Sequence, residues 1–307
     1  MSERIPFRVH PMLASLVSKP FHLPGWVYEE KYDGYRILAY KEGAKVTLLS
    51  RNQHDRTATF ATVADAIGQL PDRTVLLDGE VVAFDSKTVS RFQLLQRGDV
   101  PNRFAVFDCL YRTGRDLRSE PLALRREELE AVLAKPSEQL LVSRRLAKDG
   151  VKAYDIAKRK GFEGIVAKDD NAPYEEGRSR KWLKVKAHQE EEFAIGGFTA
   201  PEGSRQYLGA LLLGAYRGKD FIFVGKVGTG FSQQTLAALA KSFRPLVRDS
   251  TPFVDPPRGK NVTWLEPRLV AQIAFQEWTA DQKLRQPVFL GLRDDKGPNE
   301  SVLPDKL

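Results

Sequence analysis

Apolar and polar positions alternate in a way that sets out a mixed α/β frame. Residues 36–51 (RILAYKEGAKVTLLSR) read as two strands joined at Glu42–Gly43, and 75–85 (VLLDGEVVAFD) as a strand run with a turn-like Asp78–Gly79 inside it. Residues 104–111 (FAVFDCLY) form another apolar strand. Trp26–Tyr28 leads into a charged strand. Helical spacing over Ala61–Leu70 stops at Pro71, and 122–135 (LALRREELEAVLAK) is an amphipathic helix with Leu122, Leu129, Val132 and Leu133 on or near one face. Residues 154–161 (YDIAKRKG) are helical up to Gly161, and EGIVAK (163–168) follows as a strand.

After Lys186 the texture changes. Residues 187–192 (AHQEEE) are polar and read as a linker. Three glycine-broken β-rich runs follow (192–199, 208–217, 220–228), then a helix over 232–243 and a strand run over 269–278. About five strands and one helix in this stretch predict a small barrel of the OB type. The expected layout is an α+β domain over 1–188 followed by an all-β OB-fold domain over 189–307.

Composition narrows the partners. With 42% hydrophobic residues the chain can bury a core, which excludes a disordered polymer. The balance is 48 − 40 = +8, which suits a polyanion but does not demand one. A single cysteine, Cys109, excludes a disulfide framework and a multi-cysteine zinc site, and His10, His22, His54 and His188 lack metal-ligand spacing. No run approaches the ~18 apolar residues of a membrane span and no signal core opens the chain, so a soluble, intracellular protein without membrane contact is expected.

Chemistry concentrates in a handful of short segments. Glu29-Glu30-Lys31-Tyr32-Asp33-Gly34-Tyr35-Arg36 is the densest. If it continues as a strand, alternation puts Glu29, Lys31 and Asp33 on one face. Taken alone, this is an ordinary solvated face ending in an Asp-Gly turn. Its companions in order are Ser50-Arg51-Asn52, Asp78-Gly79-Glu80, Phe107-Asp108, Glu163 to Lys168, Trp182-Leu183-Lys184-Val185-Lys186, and Arg293-Asp294-Asp295-Lys296. Each has a dull explanation: a turn for Glu80, a core aromatic for Phe107, a plain amphipathic strand for 182–186.

Together they resemble the covalent nucleotidyltransferases, and most closely the ligase module of bacterial end-joining ATP-dependent DNA ligases. The resemblance runs over about residues 10–296. Two departures stand out: Glu30 where proline is expected, and Gln286 where histidine is common. Lys31 comes too early for the domain that precedes the active lysine in NAD-dependent ligases, and no zinc cluster follows, so ATP is the expected nucleotide.

The resemblance implies a three-step reaction. Lys31 takes AMP from ATP, AMP passes to a DNA 5′-phosphate, and a 3′-hydroxyl displaces it. It also implies roles. Lys184 and Lys186 contact the α-phosphate, Glu29 reads the adenine edge, Phe107 stacks on the base, and Glu80 and Arg36 lie near the ribose and its phosphate. Arg51 holds the 5′-phosphate of DNA, Glu80 and Glu163 serve Mg²⁺ or Mn²⁺, and Arg293 and Lys296 orient pyrophosphate. For Glu163 a structural ion pair with a nearby lysine is the competing reading. An ordinary lysine amine, with pKa near ~10.4, is neutral in only about one molecule in a few thousand at pH 7, so Lys31 needs cationic surroundings; Lys168, Lys184 and Lys186 can supply them. The expected partner is nicked or broken double-stranded DNA, with a Ku-like end-binding protein as a further candidate. The natural-looking start favours a free-standing protein. RNA ligation or capping, and a non-catalytic OB-fold nucleic-acid binder, are the other functions this sequence could serve.

Overall fold

The computed structural model describes residues 4–98, 100–135, 137–187, 189–201, 206–257 and 261–303; His188 lies outside the described residues. The chain divides into two compact units, 1–188 and 189–307. In the first unit the elements are β1 (Met12–Leu16), β2 (Trp26–Glu30), β3 (Tyr35–Glu42), β4 (Lys45–Ser50), α1 (Ala61–Gly68), β5 (Thr74–Val82), α2 (Phe92–Arg97), β6 (Arg103–Arg112), β7 (Arg115–Asp116), α3 (Leu122–Val132), β8 (Leu140–Val142), β9 (Arg145–Ala147), α4 (Gly150–Lys160), β10 (Gly164–Asp169) and β11 (Gly177–Lys186).

Two sheets carry this unit. One runs β1-β11-β10-β2-β9; the other runs β4-β3-β5-β6-β7, with β8 added parallel to β6. Alternation along β3 sorts its side chains. Ile37 and Ala39 join a core with Phe60, Val63 and Ile67 of the α1 region and Leu129 and Val132 of α3, while Leu38 and Tyr40 pack with Trp182 of β11. The first sheet likewise has an apolar back. Tyr28, Ile165, Ala167 and Val185 pack on Ala153 and Ala157 of α4. The unit is therefore helix, sheet, sheet, helix, and the two inner sheet faces look at each other.

The second unit contains β12 (Glu190–Thr199), β13 (Leu211–Arg217), β14 (Asp220–Val227), α5 (Gln233–Phe243), β15 (Val247–Arg248), β16 (Val262–Leu265), β17 (Val270–Ala274), β18 (Glu277–Trp278), β19 (Leu284–Arg285) and β20 (Val288–Arg293). The main sheet runs β14-β13-β12-β16-β15, and β17 pairs with both β12 and β20. Phe193, Ile195, Leu213 and Ile273 fill its core with Leu236 and Leu239 of α5, the arrangement of an OB-fold domain after a nucleotidyltransferase domain.

Three sequence expectations are corrected. Asp78–Gly79 is not a turn: β5 runs straight through it, and the irregularity is a register shift against β6 between those two residues. Glu190–Glu192 are not linker but the first residues of β12, paired with Gln272–Ala274. The run 269–278 is two strands, β17 and β18, separated at Phe275–Gln276.

Candidate nucleotide-transfer site

The register of β2, β10 and β11 gathers the basic motifs. Glu29 stands opposite Val166, which stands opposite Lys184; Val27, Lys168 and Trp182 form the next row on that face. One row the other way, the Lys31 N–H donates to the Gly164 carbonyl at 3.0 Å, and Gly164 pairs with Lys186. Residues in register share a face, so Glu29, Lys168, Lys184 and Lys186 lie on the inner face of this sheet. Glycine is needed where the strands meet. A Cβ on Gly164 would sit 2.1 Å from the Val185 carbonyl oxygen, and one on Gly34 would sit 2.1 Å from that of Val81.

Strand β2 ends at Glu30, one residue before Lys31. The Lys31 N–H still pairs with Gly164, opposite Lys186, which keeps Lys31 on the face of Glu29, so the expected shared face is corrected for Asp33. The buried Asp33 turns away and accepts the Phe92 N–H at 3.0 Å, standing in for the cap that Arg91 cannot supply at the start of α2. Lys31 pairs instead with the Glu163 carboxylate, and both side chains are mostly buried.

Glu29 is fully enclosed. Lys168 Nζ donates to it at 2.8 Å, Ser143 Oγ at 2.7 Å and Arg126 Nη1 at 3.1 Å. Burial alone would raise its carboxyl pKa, but Lys168 and Arg126 outweigh burial and hold it below the ordinary value.

The facing sheet brings Arg36, Asp78 and Glu80 through alternation on β3 and β5, where Arg36 and Glu80 are in register. Arg36 forks onto Asp78 at 2.6 and 2.7 Å and donates to the Met12 carbonyl at 3.0 Å. Burial opposes its charge, yet Asp78 more than compensates and drives its pKa above the usual value. Its guanidinium carbon lies 4.5 Å from the Phe107 ring centre, and Lys168 Nζ lies 4.3 Å from the same centre. Arg51 follows directly on β4, half-buried.

In the second unit, Arg293 ends β20 and donates to Asp295 at 2.8 and 2.9 Å and to Gln272 at 3.3 Å. Lys296 pairs with Glu192. Burial lowers the Lys296 pKa against the pull of Glu192. Among the described residues no three His, Cys, Asp or Glu side chains converge as a metal cage, and no helix is long and apolar enough to cross a membrane.

Sequence reasoning missed Arg126 and Ser143, which hold Glu29, and the buried pair Arg125–Asp108 at 2.8 Å. A signal was present. Arg125 and Arg126 fall between Leu122 and Leu129 on the buried stripe of α3, where arginine needs a partner. It also missed Tyr174, whose hydroxyl donates to Asp78 at 2.6 Å.

Two apposed sheets with a lysine at a strand end, framed by carboxylates and cations, and an OB-fold domain following them in the chain, define a covalent nucleotidyltransferase architecture. Residues 11–186 match the family described as ATP dependent DNA ligase domain, and 204–296 match ATP dependent DNA ligase C terminal region. The chain belongs to the ATP-dependent DNA ligase family.

Among its relatives is the multifunctional non-homologous end joining protein LigD of Pseudomonas aeruginosa, 36% identical over 96% of this chain and 36% of that protein. LigD of Mycobacterium tuberculosis is 38% identical over 90% of this chain and 37% of that protein. The chain thus spans little more than a third of these relatives. A solved structure described as mycobacterial DNA ligase D complexed with ATP and MES superposes with a TM-score of 0.75 at 34% identity, covering 98% of this chain and all of that one.

Proposed function

We propose that this chain seals nicks or joined ends in double-stranded DNA through an AMP bound to Lys31. The observation that carries the reading is the position of Lys31: at the mouth of β2, beside Glu163, with Lys184 and Lys186 on the same sheet face. Supporting it are the names of the relatives as end-joining proteins and the ATP complexed in the mycobacterial structure.

In the first step Lys31 must lose its proton to attack the α-phosphorus. Glu163, the ion-pair partner of that amine, would receive the proton or hold the amine in line, and Lys184 and Lys186 would balance charge on the phosphate. Glu29, kept ionised, accepts the adenine amino group, which requires Lys168 or Ser143 to yield part of its hold. Phe107 receives the base where Arg36 and Lys168 now pack, and Arg36 and Glu80 border the ribose. Arg51 takes the DNA 5′-phosphate, and Arg293 and Lys296 act on the pyrophosphate leaving group.

For a divalent ion, Glu80 and Glu163 would be the two carboxylates to hold it, since Mg²⁺ favours few protein oxygens completed by water and phosphate; Glu163 would then divide its oxygens between the ion and Lys31. Bound there, it would supply charge neutralisation at the phosphates. DNA contacts should be phosphate-directed, as a sealer reads no bases. A Ku-like partner, a monomeric state and a bacterial cytoplasmic setting complete the proposal.

The test is direct. Protein mixed with ATP and Mg²⁺ gains the mass of AMP, Lys31→Ala does not, and 5′-labelled nicked DNA passes through an adenylylated intermediate to sealed product. A wild-type protein that never gains the adduct rules the reading out. Nicks with RNA strands in parallel separate DNA from RNA joining.

A further inference from the structure

Glu30, next to Lys31 in the chain, is wholly buried. Its carboxylate lies 2.8 Å from Arg144 Nε, an ion pair without the alignment of a hydrogen bond. Arg144 does more than pair with it. Its carbonyl accepts the Glu30 N–H at 3.0 Å, and its own N–H donates to the Tyr32 hydroxyl at 3.1 Å. Both neighbours of Lys31 are thus tied to one residue. The Arg144 guanidinium donates to the Thr88 carbonyl at 3.1 Å and lies 5.7 Å from the Phe84 ring centre and 5.1 Å from that of Phe162. Phe162 immediately precedes Glu163, the partner of Lys31.

We propose that Arg144 is a positioning residue for the adenylylation of Lys31: it ties the chain on both sides of the lysine to the segment that carries Glu163, and the Glu30 carboxylate is the charge that holds its guanidinium there. The proposal deepens, and rests on, the reading of Lys31 as the nucleophile. Attack on phosphorus is sensitive to placement, and an error of about 1 Å can cost about a hundredfold in rate.

The brace depends on pH. The ionisable and charged groups facing Glu30 are Arg144, Lys160 at the end of α4, and Tyr32. Burial raises the Glu30 pKa to about 7 despite Arg144 and Lys160, so acidification through neutrality removes the charge that Arg144 is held by.

The experiment measures single-turnover transfer of AMP from ATP to the full chain, with Mg²⁺, over about pH 6 to 9, beside joining of a pre-adenylylated nick, which bypasses the attack by Lys31. As pH falls from about 8 to about 6, wild-type adduct formation should lose at least about threefold more rate than Glu30→Gln does, because only wild type loses the Glu30 charge. Glu30→Gln should lack that extra acid loss, and Arg144→Gln should slow adduct formation about tenfold or more while altering joining less than about threefold. Tyr32→Phe, which removes only the hydroxyl, should slow adduct formation more than joining. Should Arg144→Gln fail to fold, Glu30→Gln and Tyr32→Phe carry the same comparison.

A wild-type pH profile in Glu30→Gln, or equal slowing of both steps in the variants, would overturn the proposal and leave Arg144 a structural ion pair. That outcome, with the adduct still forming on Lys31, leaves the nucleophile reading intact; a wild type that forms no adduct sinks both.

Discussion

Glu30 has an energetic cost of its own at the scale of one residue. Its folded-state pKa of about 7 lies above the ordinary 4.5, so the folded chain binds that proton more tightly than the unfolded one. Its contribution is therefore most favourable below the unfolded value and is lost as pH rises through the folded one. Glu30→Gln removes the dependence. Between about pH 5 and 8 the stability of wild type relative to the variant should fall by about 2 kcal/mol, read by urea unfolding at each pH. No such trend would mean that the carboxylate is better solvated than its burial implies. The same residue that destabilises the fold at alkaline pH is the one that secures Arg144, a familiar trade of stability for function.

At the scale of elements, the site depends on β10 and β5 approaching their neighbours without side chains between them. Gly34 lies at the start of the hairpin strand β3, against the β5 backbone. Gly34→Ala must push Val81 or its own segment aside, and because Asp33 simultaneously caps α2, the shift spreads to that helix. The variant should lose about 2 kcal/mol or more in unfolding and nearly all adduct formation, checked by denaturation and mass measurement on the same preparation.

Elements also show where the sequence was readable. The hairpin β3–β4, the amphipathic stripe of α3 and the Gly161 stop of α4 all follow from local pattern, and each lies where expected. Asp33 and Asp78 differ from expectation in opposite ways: the strand expected to carry Asp33 stops at Glu30 and its carboxylate takes the Phe92 N–H, whereas the Asp78–Gly79 pair that looks like a turn stays in β5, its carboxylate claimed by Arg36 and Tyr174. The lysines stand out by their order along the chain, whereas their alignment needs strand register, which no single segment contains. Arg144 carries no local signal, since Glu30, Tyr32, Phe84 and Thr88 all lie over fifty positions away in the chain and even Phe162 lies beyond α4.

For the whole molecule, the two units should divide the reaction. Arg293 sits within an ionic cluster of its own unit, with Asp295 and Gln272 as partners. If its role is confined to the leaving pyrophosphate, Arg293→Ala should lower self-adenylylation by about a hundredfold and leave joining of a pre-adenylylated nick within about threefold of wild type. Equal loss in both assays would show a general structural defect. The chain covers about a third of its end-joining relatives, so this division concerns the joining step alone and not the other activities such relatives combine.

The inward sheet faces already neutralise themselves: Lys31 with Glu163, Lys168 with Glu29, Arg36 with Asp78. Under the reading proposed above, a nucleotide entering between these faces would meet cations that already hold anions and would have to compete with them for each contact. Such competition would moderate its grip, so that the same carboxylates could close on the cations once the products leave, favouring turnover over retention.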